Sequence, residues 1–277
     1  MKNFVFTILF SALTSIVLAQ EFRAATYNIR LQTPQDVGNE WDNRKNAVCQ
    51  LIQFHEFDIF GVQEAFHNQM QDIQSALPQY KHIGIGRDDG RQKGEYSAVF
   101  YNPKRFELLS EGTFWLSEKD TRKPNKGWDA ALPRICTWGI FKDLQNNRTF
   151  IFMNTHFDHK GKTARIESGK LILSKAKELS NGLPIVLTGD FNVDENSSAY
   201  QSIANSGIVR DSYDLSPIVY EPNSTFNGWG KHIREKGRID HIFVSPSFNV
   251  KKYGILTDTY IGKYPSDHFP VFTTLSW

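Results

Sequence analysis

An α/β domain, with mixed strands inside and helices outside, is the fold class this 277-residue sequence predicts. Short apolar or β-branched runs recur along the chain and read as buried strands, and segments with helical spacing of apolar residues alternate with them. No internal repeat, low-complexity run or linker divides the chain, so one domain over residues 20–277 is expected.

The first segment is not part of that domain. Lys2 is the only charge before Glu21, Phe4 to Ala19 is almost wholly apolar, and Val17-Leu-Ala19 places small residues where a peptidase cuts. This predicts a secretory signal peptide over residues 1–19, cleavage near Ala19, and a secreted or periplasmic product. No second long apolar run follows, so stable membrane insertion is not expected.

Phe22 to Arg30 alternates as a strand and carries Asn28 among apolar neighbours. Ala47, Val48, Leu51, Ile52 and Phe54 form a helical face within Trp41–Phe57. Asp58 to Glu64 is a buried strand ending in a carboxylate, and His67 to Leu77 is helical until Pro78 stops it. Strands then dominate: Tyr80–Arg87, Tyr96–Tyr101, Phe106–Leu116, Ile135–Lys142 and Thr149–Phe157. A long polar loop, Lys119–Pro133, interrupts them. Thr163–Leu179 is an amphipathic helix. In Pro184–Asn192 an apolar run is broken by Gly189 and followed at once by Asp190 and Asn192, which read as an active-site floor. A short helix over Ser197–Asn205 and strands at Ile239–Ser245 and Pro270–Leu275 complete the order. Cys49 and Cys136 are too few for a disulfide framework and read as small buried hydrophobes.

Charge excludes one function class. With 32 Lys and Arg against 30 Asp and Glu, the net charge is +2, so non-specific polyanion binding has no broad basic surface to rest on.

Polar residues break the apolar strands at or near their ends: Asn28, Glu64, His156, Asp190, Asn192, Asp240, Asp267 and His268. One such residue is an ordinary hydrogen-bonded core group. So many are hard to bury separately, because each unpaired carboxylate is costly, so they need one another and a cation.

The segments Ala25-Thr-Tyr-Asn-Ile29, Gly61-Val-Gln-Glu64, Asn154-Thr-His156, Thr188-Gly-Asp-Phe-Asn192, Arg238-Ile-Asp-His-Ile-Phe243 and Ser266-Asp-His-Phe-Pro-Val271 occur in this order. In that order they resemble the motifs of the endonuclease/exonuclease/phosphatase superfamily, from about Phe22 to the C-terminus. The resemblance implies a four-layered α/β sandwich, two facing mixed β-sheets flanked by helices, with the site at one edge. It implies a hydrolase of phosphate esters that uses Mg²⁺ or Mn²⁺. Glu64 corresponds to the principal metal ligand, with Asn28 and Asp267 beside it. Asp190 corresponds to the residue that handles the attacking water and Asn192 to a phosphate donor or second-ion ligand. His268 corresponds to a phosphate-facing histidine oriented by Asp240, and His156 to a second one. Hard cations prefer such oxygen ligands, and phosphate hydrolysis needs an in-line water, a base and positive charge on the equatorial oxygens.

Further substrate-site candidates surround this set. Glu95 is expected to hold His156 as Asp240 holds His268. Arg134, Asp158 and Arg165 lie near predicted strand or helix ends, and Trp229 sits in a loop of interleaved aromatic and basic residues, Phe226–Arg238. The expected substrate is a phosphate ester: nucleic acid first, through a phosphodiesterase or nuclease activity, then a phospholipid headgroup or small phosphate ester. A binding protein that keeps the fold without catalysis is disfavoured by the intact set of catalytic residue types. A monomer is expected.

Overall fold

The computed structural model describes residues 20–277, so the expected signal peptide lies outside the described residues. In chain order the elements are β1 (Phe22–Asn28), α1 (Trp41–Phe54), β2 (Ile59–Ala65), α2 (His67–Ala76), β3 (Lys81–Ile83), β4 (Tyr96–Tyr101) and β5 (Phe106–Trp115). There follow β6 (Ile135–Asp143), β7 (Arg148–His156), α3 (Lys162–Ser180), β8 (Ile185–Asp190), α4 (Ser198–Ala204), β9 (Arg210–Asp211) and α5 (Ser212–Leu215). The chain ends with β10 (Val219–Tyr220), β11 (Asp240–Val244), β12 (Asn249–Ile255) and β13 (Val271–Ser276).

The strands form a seven-stranded sheet ordered β10-β12-β13-β1-β2-β4-β3 and a six-stranded sheet ordered β5-β6-β7-β8-β11-β9. Both are mixed: β1 runs parallel to β2 but antiparallel to β13, and β8 runs parallel to β7 but antiparallel to β11.

Strand periodicity explains the layers, since successive side chains leave opposite faces of a sheet. Phe22, Ala24 and Ile59 pack with Phe150, Phe152, Val186 and Ile242 of the other sheet. Their neighbours Ala25, Tyr27, Phe60 and Val62 join Val48, Ile52, Met70 and Ile73 of α1 and α2. On the far side, Ile151, Met153 and Leu187 join Ile172, Ala176, Tyr200 and Ile203 of α3 and α4. The result is helix, sheet, sheet, helix: the four-layered sandwich that the resemblance implied. Cys49 and Cys136 are buried, unpaired and in different apolar layers. No helix among the described residues is long and apolar enough to cross a membrane.

One expectation about the backbone is corrected. Gly189 does not end β8; it stays in the ladder, paired with Thr155 and His241. Its role is space, because a Cβ there would run into the Thr155 carbonyl.

Candidate active site

The apolar layer between the sheets gives way to a buried polar plug towards the functional edge. Gln63 donates to Thr26 (2.9 Å) and to Asn154 Oδ1 (2.6 Å), and Asn154 Nδ2 donates to the carbonyls of Val62 and Ala98 (both 2.9 Å). Thr188 donates to Asn154 Oδ1 as well (3.1 Å). Gly61 leaves the room this needs, because any side chain there would overlap Asn154. The plug fastens β1, β2, β7 and β8 together directly beneath the residues that end them. Buried polar groups bonded in this way rigidify a site.

Above the plug, the strand ends deliver the predicted residues to one cavity of about 640 Å³. Glu64, Glu95, Arg134, His156, Asp190, Asn192, Trp229, Asp267 and His268 all line it. Asp240, the first residue of β11, is fully buried behind His268 and meets its Nδ1 at 2.9 Å. Asn28 organises the acids: its Nδ2 donates to Glu64 (3.1 Å) and Asp190 (2.9 Å), and its Oδ1 accepts from the Arg30 backbone (3.0 Å). Asn28 therefore turns its nitrogen, not its oxygen, to the carboxylates. Asn192 Nδ2 bonds to the Phe157 carbonyl (3.0 Å) and to His156 Nε2 (3.1 Å), which leaves the neutral His156 proton on Nδ1.

Burial and neighbouring charge set the electrostatics. Burial, then the charge of Asp240, push the Asp190 carboxyl up to about 7. Burial pushes Asp267 up to about 6, and the nearby Glu64 charge adds to it. Glu64 stays below its ordinary value because Arg30 and His268 outweigh its burial. Burial opposes a charge on His268, yet Asp240 outweighs it and holds that ring well above the usual histidine range. His156 lies well below that range, through burial and the facing charges of Arg134 and Arg87.

The donor chemistry fits a divalent cation. Glu64, His156 and Asp190 each offer a ligand atom, all within 4.8 Å of one another. Burial, with the charge of Asp240 on Asp190 and of Glu64 on Asp267, holds both carboxyls up, and an acid-rich pocket of this kind favours a hard cation.

Three of the outlying candidates fall elsewhere or act differently. Glu95 does not hold His156: its Oε2 is 3.7 Å from Nδ1, which has no hydrogen-bond partner, and both carboxylate oxygens accept from Arg87 (2.7 and 2.6 Å). Asp158 does not line the cavity; it accepts from the backbones of Leu132, Lys160 and Gly161 and so fixes the loop before β6 to the start of α3. Arg165 donates to the Asp158 carbonyl (2.9 Å) and lines a neighbouring cavity of about 450 Å³.

Arg30 was missed by the sequence reading. It bonds to Asp36 (2.8 and 3.1 Å) and places its guanidinium 3.6 Å from Glu64 and 3.8 Å from Asp267. Backbone strain also clusters here: Arg30, Glu64, Asn192 and Trp229 line the cavity with φ of 58°, 66°, 51° and 61°. Non-glycine residues hold such angles where the surroundings over-determine them, most often at functional sites.

A facing-sheet sandwich with a buried raised carboxyl, a carboxylate-held histidine and a cluster of acids at one edge is the arrangement of a hydrolase of phosphate esters. Residues 25–268 match the model of the Endonuclease/Exonuclease/phosphatase family, and the chain belongs to that family. It is similar to the mannosyl-6-phosphatase of Bacteroides thetaiotaomicron VPI-5482, with 48% identity, 92% of this chain and 100% of that one covered, and a TM-score of 0.90. A structure of an endonuclease/exonuclease/phosphatase family protein from Bacteroides thetaiotaomicron is equally similar, at 48% identity and TM-score 0.90, with 92% of this chain and 95% of that one covered. Nocturnin of Xenopus laevis is 25% identical over 269 residues, covering 86% of this chain, which spans only 65% of that protein's length.

Proposed function

We propose that the protein is a metal-dependent phosphomonoesterase acting on small polar phosphate esters, sugar phosphates first. The observation that carries this is the site's size: the reacting groups line one cleft of about 640 Å³, within the range of roughly 300–1,000 Å³ that takes one small ligand. Near-neutral net charge adds no basic track for a polynucleotide. Similarity to a mannosyl-6-phosphatase over 92% of the chain supports the same choice. Of the substrates the sequence suggested, small phosphate esters therefore come ahead of nucleic acid.

Asp190, poised near neutrality, orients and deprotonates the attacking water. Charged His268, kept in place by Asp240, donates from Nε2 to a phosphate oxygen as negative charge builds. Neutral His156 and the amides of Asn28 and Asn192 fix the remaining polar contacts. Glu64, with Asp267 beside it in the cavity, would hold Mg²⁺ or Mn²⁺, which would neutralise charge on the transferring phosphoryl group.

The test is hydrolysis of mannose 6-phosphate, read as released phosphate, against bis(4-nitrophenyl) phosphate, RNA and sphingomyelin, read as 4-nitrophenol, nucleotides and phosphocholine, each with Mg²⁺, Mn²⁺ or EDTA. Mannose 6-phosphate should be cleaved best, EDTA should abolish turnover, and Glu64→Ala should do the same in a folded protein. Cleavage confined to the diesters or RNA overturns the substrate class. Turnover that survives both EDTA and Glu64→Ala overturns the metal. We propose export as well, from the Lys2–Ala19 segment; the N-terminus of the mature protein should then lie near Gln20.

A further inference from the structure

The loop between β10 and β11 carries an aromatic residue that catalysis leaves unused. Trp229 is half-buried, lines the cavity, and holds φ 61° between Gly228 at 55° and Gly230 at 84°. A bulky side chain in the left-handed region is sterically disfavoured and persists only where its surroundings impose it.

They do so from two sides. The backbones of Asn227 and Gly228 both donate to the Asp267 carbonyl (2.8 and 3.0 Å), and Asn227 Nδ2 donates to the Ser266 carbonyl (3.0 Å). Phe226 meets the His268 ring edge-on at 5.1 Å. The loop is thus fastened to the segment that carries Asp267 and His268. Behind the indole lies Arg44, fully buried, its guanidinium 5.3 Å from the Trp229 ring and 5.0 Å from Trp41. Arg44 cannot swing away, since it donates to the carbonyls of Ile29, Arg30 (2.6 Å), Asn39 (3.0 Å) and Pro265 (3.1 Å).

Packing alone does not call for this arrangement, because part of the indole faces the cavity rather than the core. It gives the cavity an aromatic wall, held by the loop's bonds to the segment that carries His268. A pyranose ring has one face of C–H groups that can lie on such a wall while its hydroxyls stay hydrated. We infer that Trp229 is the platform for the alcohol half of the substrate, the ring of a sugar phosphate, and that it sets the preference for ring-bearing over acyclic monoesters. This rests on the phosphomonoesterase function proposed above.

The experiment compares kcat and KM for mannose 6-phosphate and glycerol 3-phosphate in the wild type, Trp229→Ala and Trp229→Phe, with melting temperatures alongside. In Trp229→Ala the preference for the hexose phosphate should fall about tenfold, through KM, a size typical of one lost stacking contact. Trp229→Phe should recover most of it. An equal loss on both esters, or a loss in kcat alone without Phe rescue, overturns the platform and leaves Trp229 a structural residue. A wild type inert towards both esters overturns the phosphomonoesterase function and the platform with it. An active wild type whose preference is unchanged in Trp229→Ala overturns the platform alone.

Discussion

His156 and His268 face the same carboxylate from opposite surroundings. Asp190 Oδ2 lies 3.4 Å from His156 Nε2 and 3.8 Å from His268 Nε2. His268 has its own anion, Asp240 at 2.9 Å, and burial fails to discharge it. On the Nδ1 side of His156 the facing carboxylate is Glu95 at 3.7 Å, already clasped through both oxygens by Arg87. The charges of Arg134 and Arg87 then add to burial, and His156 is held neutral. A carboxylate beside a histidine raises it only when that carboxylate is not already paired. The site therefore offers one cationic ring and one neutral ring around a single carboxyl, a division that in the proposed mechanism would separate charge stabilisation from positioning.

The most damaging way to break this comparison is to remove the group both rings share. Asp190→Asn keeps the shape and the bond from Asn28 but loses the base. We expect kcat to fall about 10²–10⁴-fold, the range for a lost general base. Steady-state kinetics that show less than a tenfold fall would place the base elsewhere.

The next largest effect separates the rings. Asp240→Asn removes the anion behind His268 while leaving His156 untouched. A fall of about 10–100-fold is expected, as when other outer carboxylates that orient site histidines are lost. Combined with His268→Ala, it should add little to His268→Ala alone, since coupled residues are non-additive. Full additivity in that cycle would mean Asp240 acts independently of the ring.

Much of this geometry was legible because strands announce their ends. Tyr96–Tyr101 was read with the bounds it has in the structure, and Asn28, Glu64, His156 and Asp190 stood out as polar groups closing apolar runs. What escaped were features whose meaning lies across the fold. β12 was missed because its Lys251 and Lys252 point outward and interrupt the apolar run of Asn249–Ile255. β9, β10 and α5 are too short to show a period. Gln63 and Asn154 were in view within their motifs, but only facing sheets turn them into a plug. Arg30 gains its place from Glu64 and Asp267, both distant in sequence. Glu95 was misjudged because Arg87, which takes its charge, sits in a segment read as plain strand; β3 in fact ends at Ile83.

The smallest expected catalytic effect comes from that misjudged residue, and it sharpens the comparison most. Glu95 gives His156 no hydrogen bond, so Glu95→Gln should lower kcat much less than Asp240→Asn does, by under about tenfold. Its cost should appear in stability. Arg87 is buried and has its closest carboxylate in Glu95 at 2.6 Å, with Asp88 at 3.8 Å, and Arg134 lies 3.9 Å from the Glu95 carboxylate. Breaking a buried ion pair by removing one partner typically costs about 3–5 kcal/mol. Urea unfolding should therefore show a lower midpoint for Glu95→Gln than for Asp240→Asn, the reverse of their order in kcat. If Glu95→Gln instead loses as much kcat as Asp240→Asn and unfolds like the wild type, Glu95 is the working partner of His156. The two histidines would then be equivalent in kind, and the difference drawn between them would fail.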